Sequence, residues 1–239
     1  MTPDEARLKL LEDVIRKQIP SFEVRFKDKG PGSGGQKLIA KLIWLFNREY
    51  MTRYISTFYP RVYWPTEADY RDDPRGAFKT LAHEAVHLMD DHRRRGWFAF
   101  SYLLPAVLAP LALGALAAIW ASNWFLMFLV ALVFLLPLPA YWRMWWELRG
   151  YSMSMAMYAW RDGSIPADTK TWMAERFTGP AYYFMWPFKK AMTRRLSASE
   201  KAIHNGDILK WGPIYAQVHR IQKLSDSEAV ALASREGGS

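Results

Sequence analysis

The chain has 239 residues, a formal net charge of +9 and no cysteine. Missing thiols exclude a disulfide framework, a thiolate zinc site and a cysteine nucleophile, so any metal must rest on histidine and carboxylate. Apolar residues make up 51% of the chain, and between Gly96 and Trp142 there is no Asp, Glu, Lys or Arg.

In chain order, the opening "MTPDEARLKLLEDVIRKQI" is charged throughout and lacks the apolar centre of a secretory signal. Within it Ala6, Leu8, Leu10, Leu11, Val14 and Ile15 form a helical stripe over residues 4–18. "SFEVRFK" (21–27) alternates Phe22, Val24 and Phe26 and predicts a strand. "GPGSGG" (30–35) is a loop, and no Lys-Ser or Lys-Thr pair follows it in register for a phosphate cradle. "QKLIAKLIWLFNREY" (36–50) predicts a helix, and "TRYISTFYPRVYW" (52–64) an edge strand because of Pro60 and Pro65. A further helix opens near Pro74 and runs through "AHEAVHLMDD".

The uncharged run is long enough for two membrane crossings, since an apolar stretch of about 20 residues suffices for one. It divides at "ASN" (121–123) into two antiparallel spans, roughly Trp97–Trp120 and Trp124–Trp142, with Trp145 and Trp146 just beyond. Tryptophan favours the head-group layer, and prolines 105, 110, 137 and 139 are tolerated as kinks. Arg93, Arg94 and Arg95 precede the run and Arg143 and Arg149 follow it, which predicts a two-span membrane protein with both termini cytosolic. Lys189, Lys190, Arg194 and Arg195 form a second basic, aromatic-rich stretch suited to anionic lipid. No nucleic-acid signature accompanies the charge, so membrane lipid is the expected partner. The alternative is a hydrophobic hairpin buried in a larger soluble assembly. After Tyr151 the composition is mixed; "SASE" (197–200) has the form of a capping box, and the end of the chain reads as a frayed tail.

The chemistry concentrates in "HEAVH" (83–87). Residues four apart project from one helical face, so His83 and His87 converge and can grip a zinc ion. Glu84 between them can act as general base toward a water that the metal polarises. Phe78, Leu81, Ala82, Ala85, Leu88 and Met89 give the same helix an apolar surface. A catalytic zinc needs a third protein ligand. His92 falls on the wrong face, Asp90 would have to bind from the same short helix, and His204 and His219 lie in no motif. Glu147 is the better candidate, because a carboxylate among Trp145, Trp146 and Leu148 is costly unless it is paired or bound to metal. Its other reading is an ion pair with Arg143 or Arg149.

A zinc motif, a two-helix membrane hairpin and then a glutamate on the next helix resemble the membrane-embedded gluzincin peptidases. These are the CAAX prenyl-protease and heat-shock membrane protease group, with antibiotic-sensor transducer peptidases as relatives. The resemblance covers roughly residues 50–160. It implies an α+β, mostly helical fold in which a compact zinc-peptidase domain is interrupted by the hairpin. His83, His87 and Glu147 would then be the zinc ligands and Glu84 the general base. In "ELRGY" the family's usual Ala and Asp are replaced by Gly150 and Tyr151. The acid that orients a ligating histidine must then come from elsewhere, with Asp90 or Asp91 as candidates. Such enzymes bind substrate along an edge strand, here 52–64, and supply an oxyanion donor, here Tyr151, Tyr215 or His219.

The expected division is residues 1–95 and 143–224 as the two halves of one domain, 96–142 as the hairpin and 225–239 as a flexible tail. The expected function is a zinc endopeptidase at the cytosolic membrane face, acting on protein or peptide substrates that are themselves suited to the membrane. Two other readings compete. One is a membrane structural or interaction protein that keeps the zinc-peptidase fold without turnover, and the other a basic surface scaffold without metal.

Overall fold

The computed structural model describes residues 1–28, 55–136, 138–182 and 184–236. The sequence-predicted loop at 30–35, the helix at 36–50 and the start of the strand at 52–64 lie outside these. The described chain is mostly helical, with one three-stranded sheet.

Helix α1 (Pro3–Gln18) begins with a capping box in which Thr2 and Glu5 satisfy each other's backbone N–H groups, and Pro3 supplies a helical φ at N1. Its buried face of Ala6, Leu8, Leu10, Leu11 and Ile15 carries most of the expected stripe. Strand β1 (Glu23–Phe26) pairs in parallel with β3 (Arg61–Trp64), setting Val24 beside Val62 and Phe26 beside Trp64. Strand β2 (Ser56–Phe58) pairs antiparallel with β3, Ser56 facing Tyr63. Among the described residues the order β1-β3-β2 puts β2 at the edge. The expected single strand over 52–64 is therefore, over its described part, a hairpin. Tyr59 and Pro60 make the turn, because proline cannot donate to a ladder.

A short helix α2 (Glu67–Arg71) leads into α3 (Pro74–Arg94), capped by Asp73, whose carboxylate accepts from the Gly76 N–H at 2.9 Å. Ala77, Phe78, Leu81, Ala82, Ala85, Val86, Leu88 and Met89 bury its apolar side. The helix stops where Arg95 (φ 34°) and Gly96 (φ 80°) turn left-handed, which reverses the chain into α4 (Trp97–Leu103).

The uncharged run does not form two continuous α-helices as expected. Pro105 cannot continue α4, and a 3₁₀ segment (Ala106–Ile119) follows at an angle of 77°. Trp120–Ser122 make the turn, and a second 3₁₀ segment (Asn123–Leu135) returns beside the first. Gly114 meets the Phe128 ring, where a Cβ would come within 2.9 Å, so this glycine allows the arms their close approach. Among the described residues no single helix is long and apolar enough to cross a membrane; only the bent pair Trp97–Leu103 and Ala106–Ile119 passes jointly. The second arm ends before Tyr141 and Trp142, which open helix α5 (Tyr141–Asp162) instead.

Helix α5 runs through the centre of the core, burying Met144, Met153, Met155 and Met157 against α3 and the following elements. Helices α6 (Thr169–Thr178), α7 (Lys189–His204) and α8 (Pro213–Lys223) complete the layer around it. "SASE" does not cap a helix. It lies within α7, and Ser199 turns inward within hydrogen-bond distance of Ser152 at 2.9 Å. The expected flexible tail is also corrected, because Asp226–Glu236 forms helix α9. Ala229 and Ala233 are fully buried, and Lys9 donates to the Ala233 carbonyl at 2.7 Å. Two alanines one turn apart are a weak sequence stripe, yet they let α9 lie close on α1.

Candidate metal centre

Two helices build the site. Helix α3 presents His83, Glu84 and His87, and α5 presents Glu147. The two histidine Nε2 atoms stand 3.2 Å apart, and Glu147 Oε2 lies 3.9 Å from His83 Nε2. One donor atom from each of the three falls within 4.8 Å of the others. Tetrahedral zinc with bonds of about 2.0–2.1 Å requires ligand atoms roughly 3.3 Å apart. The histidine pair already stands at that separation, and the Glu147 oxygen must close by about 0.6 Å on His83 and by up to about 1.5 Å on His87. His87 and Glu147 are buried, at 6% and 4% exposure. Burial drives the imidazole pKa values down, to about 3 for His83, which also feels His87, and about 4 for His87. Both rings are neutral at pH 7, the form that binds metal.

The supports of this set come partly from outside the motif. The Tyr102 hydroxyl, on α4, donates to Glu147 Oε1. Beside it the Trp146 indole N–H donates to Ser101 Oγ at 3.0 Å, tying α4 to the helix that carries Glu147. Neither basic neighbour pairs with Glu147 in the way the alternative reading required. Arg149 holds Asp90 through two bonds of 2.7 and 3.0 Å, and the Arg143 guanidinium lies over the Tyr102 ring at 5.2 Å. His83 Nδ1 lies 3.1 Å from Ser154 Oγ. His87 Nδ1 is buried with no hydrogen-bond partner.

The expectation that Asp90 or Asp91 orients a histidine is therefore corrected. Asp90 is occupied by Arg149, and Asp91 is turned toward the backbone at Gly96. A hydroxyl, Ser154, serves His83 instead.

Glu84 accepts a hydrogen bond from Thr57 on β2 at 2.6 Å. Burial raises its pKa to about 7 despite that bond, which acts in the opposite direction. Gly150 lies directly under the His83 ring. A Cβ there would stand 2.5 Å from Nε2, so the His83 position requires glycine at 150. Tyr151 places its ring edge against His83, centroids 5.1 Å apart, and shares its hydroxyl with Tyr182 at 2.9 Å.

Other sequence candidates fall elsewhere. The Tyr215 hydroxyl donates to the Arg149 carbonyl at 2.7 Å, which removes it as an oxyanion donor. His219 packs on Trp160, centroids 4.7 Å apart, and His92 packs on Tyr59. His204 ends α7 and joins no donor cluster among the described residues.

A cavity of about 760 Å³ opens beside His83 and Glu84, with Tyr151, Tyr182 and Ile55 among its walls. Sequence reasoning passed over Tyr102, Thr57, Ser154 and Tyr182. For Ser154 a signal existed: it follows Glu147 by two helical turns and so shares its face. No family model, curated protein or solved structure matches this chain.

Proposed function

We propose that the chain is a zinc-dependent endopeptidase of gluzincin type, anchored to a membrane through the apolar hairpin. The observation that carries this reading is the convergence of His83, His87 and Glu147, from two helices separated by the whole hairpin, beside Glu84. When bound, zinc would supply Lewis acidity, polarising a peptide carbonyl and acidifying water.

The residues of the chain account for the remaining steps. Glu84 takes a proton from the attacking water and passes it to the leaving amine, a role its position between the two histidines and on the cavity wall allows. Thr57 holds that carboxylate against the sheet edge. Among the described residues β2 is an edge strand, whose main chain could hydrogen-bond an extended substrate strand and so place its carbonyl over the site. Tyr151 and Tyr182 are the hydroxyls in the cavity suited to stabilising an oxyanion.

Membrane attachment is supported by the surface of the hairpin. Leu113, Ile119 and Val130 are 67–72% exposed, and Trp120 and Trp124 at its tip are 83% and 81% exposed. An apolar surface this continuous is strongly unfavourable in water and suits a lipid phase. Arg93, Arg94 and Arg95, which directly precede the hairpin and are exposed, suit a head-group layer on the cytosolic side.

The test is hydrolysis of an unstructured protein substrate by the zinc-loaded chain, wild type beside Glu84→Gln. Wild type should cleave, while Glu84→Gln should keep its metal and lose cleavage by at least about a hundredfold. The unpartnered His87 Nδ1 favours a second reading, in which the chain binds metal without turnover. Metal in both proteins with cleavage by neither would select it.

A further inference from the structure

The cavity beside Glu84 carries a charge that the peptidase chemistry does not use. Its walls come from α3, α5 and α6, and two of the lining residues are cations, Lys79 and Arg176. Lys79 lies one turn before His83 on the same face of α3, so its charge reaches the metal centre. Arg176 sits on α6, its guanidinium 4.8 Å over the Trp172 ring. Ring contacts link it to the centre: Trp172 packs on Tyr151 at 6.1 Å, and Tyr151 on His83 at 5.1 Å.

Both cations are half-buried, and among the described residues neither forms an ion pair with a carboxylate. Lys79 donates to the Tyr158 hydroxyl and lies 3.8 Å over that ring, so its partner is aromatic and neutral. Of the two acids in the lining, Glu84 is committed to Thr57 and Asp168 is exposed at the rim. Two half-buried cations on the wall of one cavity, neither paired with a carboxylate, offer an entering anion charge-assisted hydrogen bonds. The volume is that of a ligand pocket, ample for an amino-acid side chain and its neighbours.

We propose that this cavity is a specificity pocket that receives a carboxylate of the substrate between Lys79 and Arg176. The carboxylate is either an acidic side chain near the scissile bond or the substrate's own C-terminus. Arg176 offers a planar, two-pronged contact and Lys79 a point charge. Trp172, Tyr158 and Tyr182 flank the carbon skeleton. The inference rests on the peptide-binding part of the proposed function and is independent of whether the bond is cut.

The test therefore measures binding. Octapeptides that differ only in Glu or Gln at successive positions, each with a free or an amidated C-terminus, are titrated into the full-length Glu84→Gln chain by fluorescence anisotropy. A charge-assisted contact should make the Glu peptide bind about tenfold tighter at one position, or the free acid tighter than the amide. The first result assigns the pocket to a side chain and the second to a C-terminus. Arg176→Gln and Lys79→Gln, each added to the Glu84→Gln chain, should close that gap, whereas Arg176→Lys should keep part of it. Equal binding of every Glu/Gln and acid/amide pair would overturn the inference, as would a gap unchanged by both neutral variants. Selective binding without cleavage by the wild type would remove the peptidase reading and leave the pocket standing.

Discussion

Gly150 and His83 meet so closely that a Cβ on Gly150 would lie 2.5 Å from the imidazole Nε2, the atom that faces His87 and Glu147. The contact joins the two helices that form the donor set. It also means that the smallest possible side chain at position 150 must displace a candidate ligand.

Gly150→Ala should therefore weaken metal binding by about tenfold or more, with an overpacking cost to stability of about 1–3 kcal/mol. Competition with a chromophoric chelator measures the first and thermal melting the second. Unchanged metal affinity in the variant would show that His83 is not held where the ligand set needs it.

Tyr102 makes a different contribution. Its hydroxyl donates to Glu147 Oε1 and leaves Oε2 facing His83. Tyr102→Phe keeps the ring and removes the donor, so metal affinity should fall by about 10–100-fold while the fold survives. The same chelator competition reads the change, with circular dichroism as the control for folding.

Asp90 and Arg149 form a buried pair joining α3 to α5, and Arg149 reaches on to the Trp211 carbonyl at 3.3 Å. Removing one partner leaves the other charge buried alone. Asp90→Asn or Arg149→Met should cost about 3–5 kcal/mol, and the double variant less than the sum. Denaturant unfolding of the four proteins gives the coupling.

Without metal, stability should vary with pH in two opposed ways. The histidine pKa values are lowered from the usual 6.5 to about 3 and about 4, so between these limits the unfolded chain binds more protons. Their contribution is complete above about pH 6.5 and is lost as the pH falls. Glu84 is raised from the usual 4.5 to about 7, so the folded chain holds its proton in that window. Its contribution is complete below about pH 4.5 and is lost as the pH rises through 7. Metal-free Glu84→Gln should then exceed the wild type by about 3 kcal/mol at pH 8 and match it near pH 4, because Gln stays neutral throughout. Chemical denaturation in chelator at the two pH values checks the sign. Equal stability at pH 8 would show that the Glu84 site does not disfavour charge.

The convergence of His83 and His87 was legible because residues 83–87 span about one turn and a third of one helix, where spacing alone sets the geometry. Glu147 was legible for another reason, since an acid among tryptophans needs a partner. Their supports were not, because Thr57 and Tyr102 meet the site only through tertiary packing that no local period encodes. The hairpin's composition was plain, but its backbone was not: Pro105 and Pro110 break the α-helical ladder that an apolar run otherwise suggests. Helix α9 escaped notice because its buried face is two alanines, too small to give a hydrophobic signal.

Zinc content, measured by elemental analysis of the purified chain beside Glu147→Ala and the double variant His83→Ala, His87→Ala, tests the central claim most directly. The wild type should carry about one zinc per chain, the double variant none, and Glu147→Ala much less at equal free zinc. Full zinc occupancy in the double variant, or none in the wild type under zinc-replete conditions, would contradict the account.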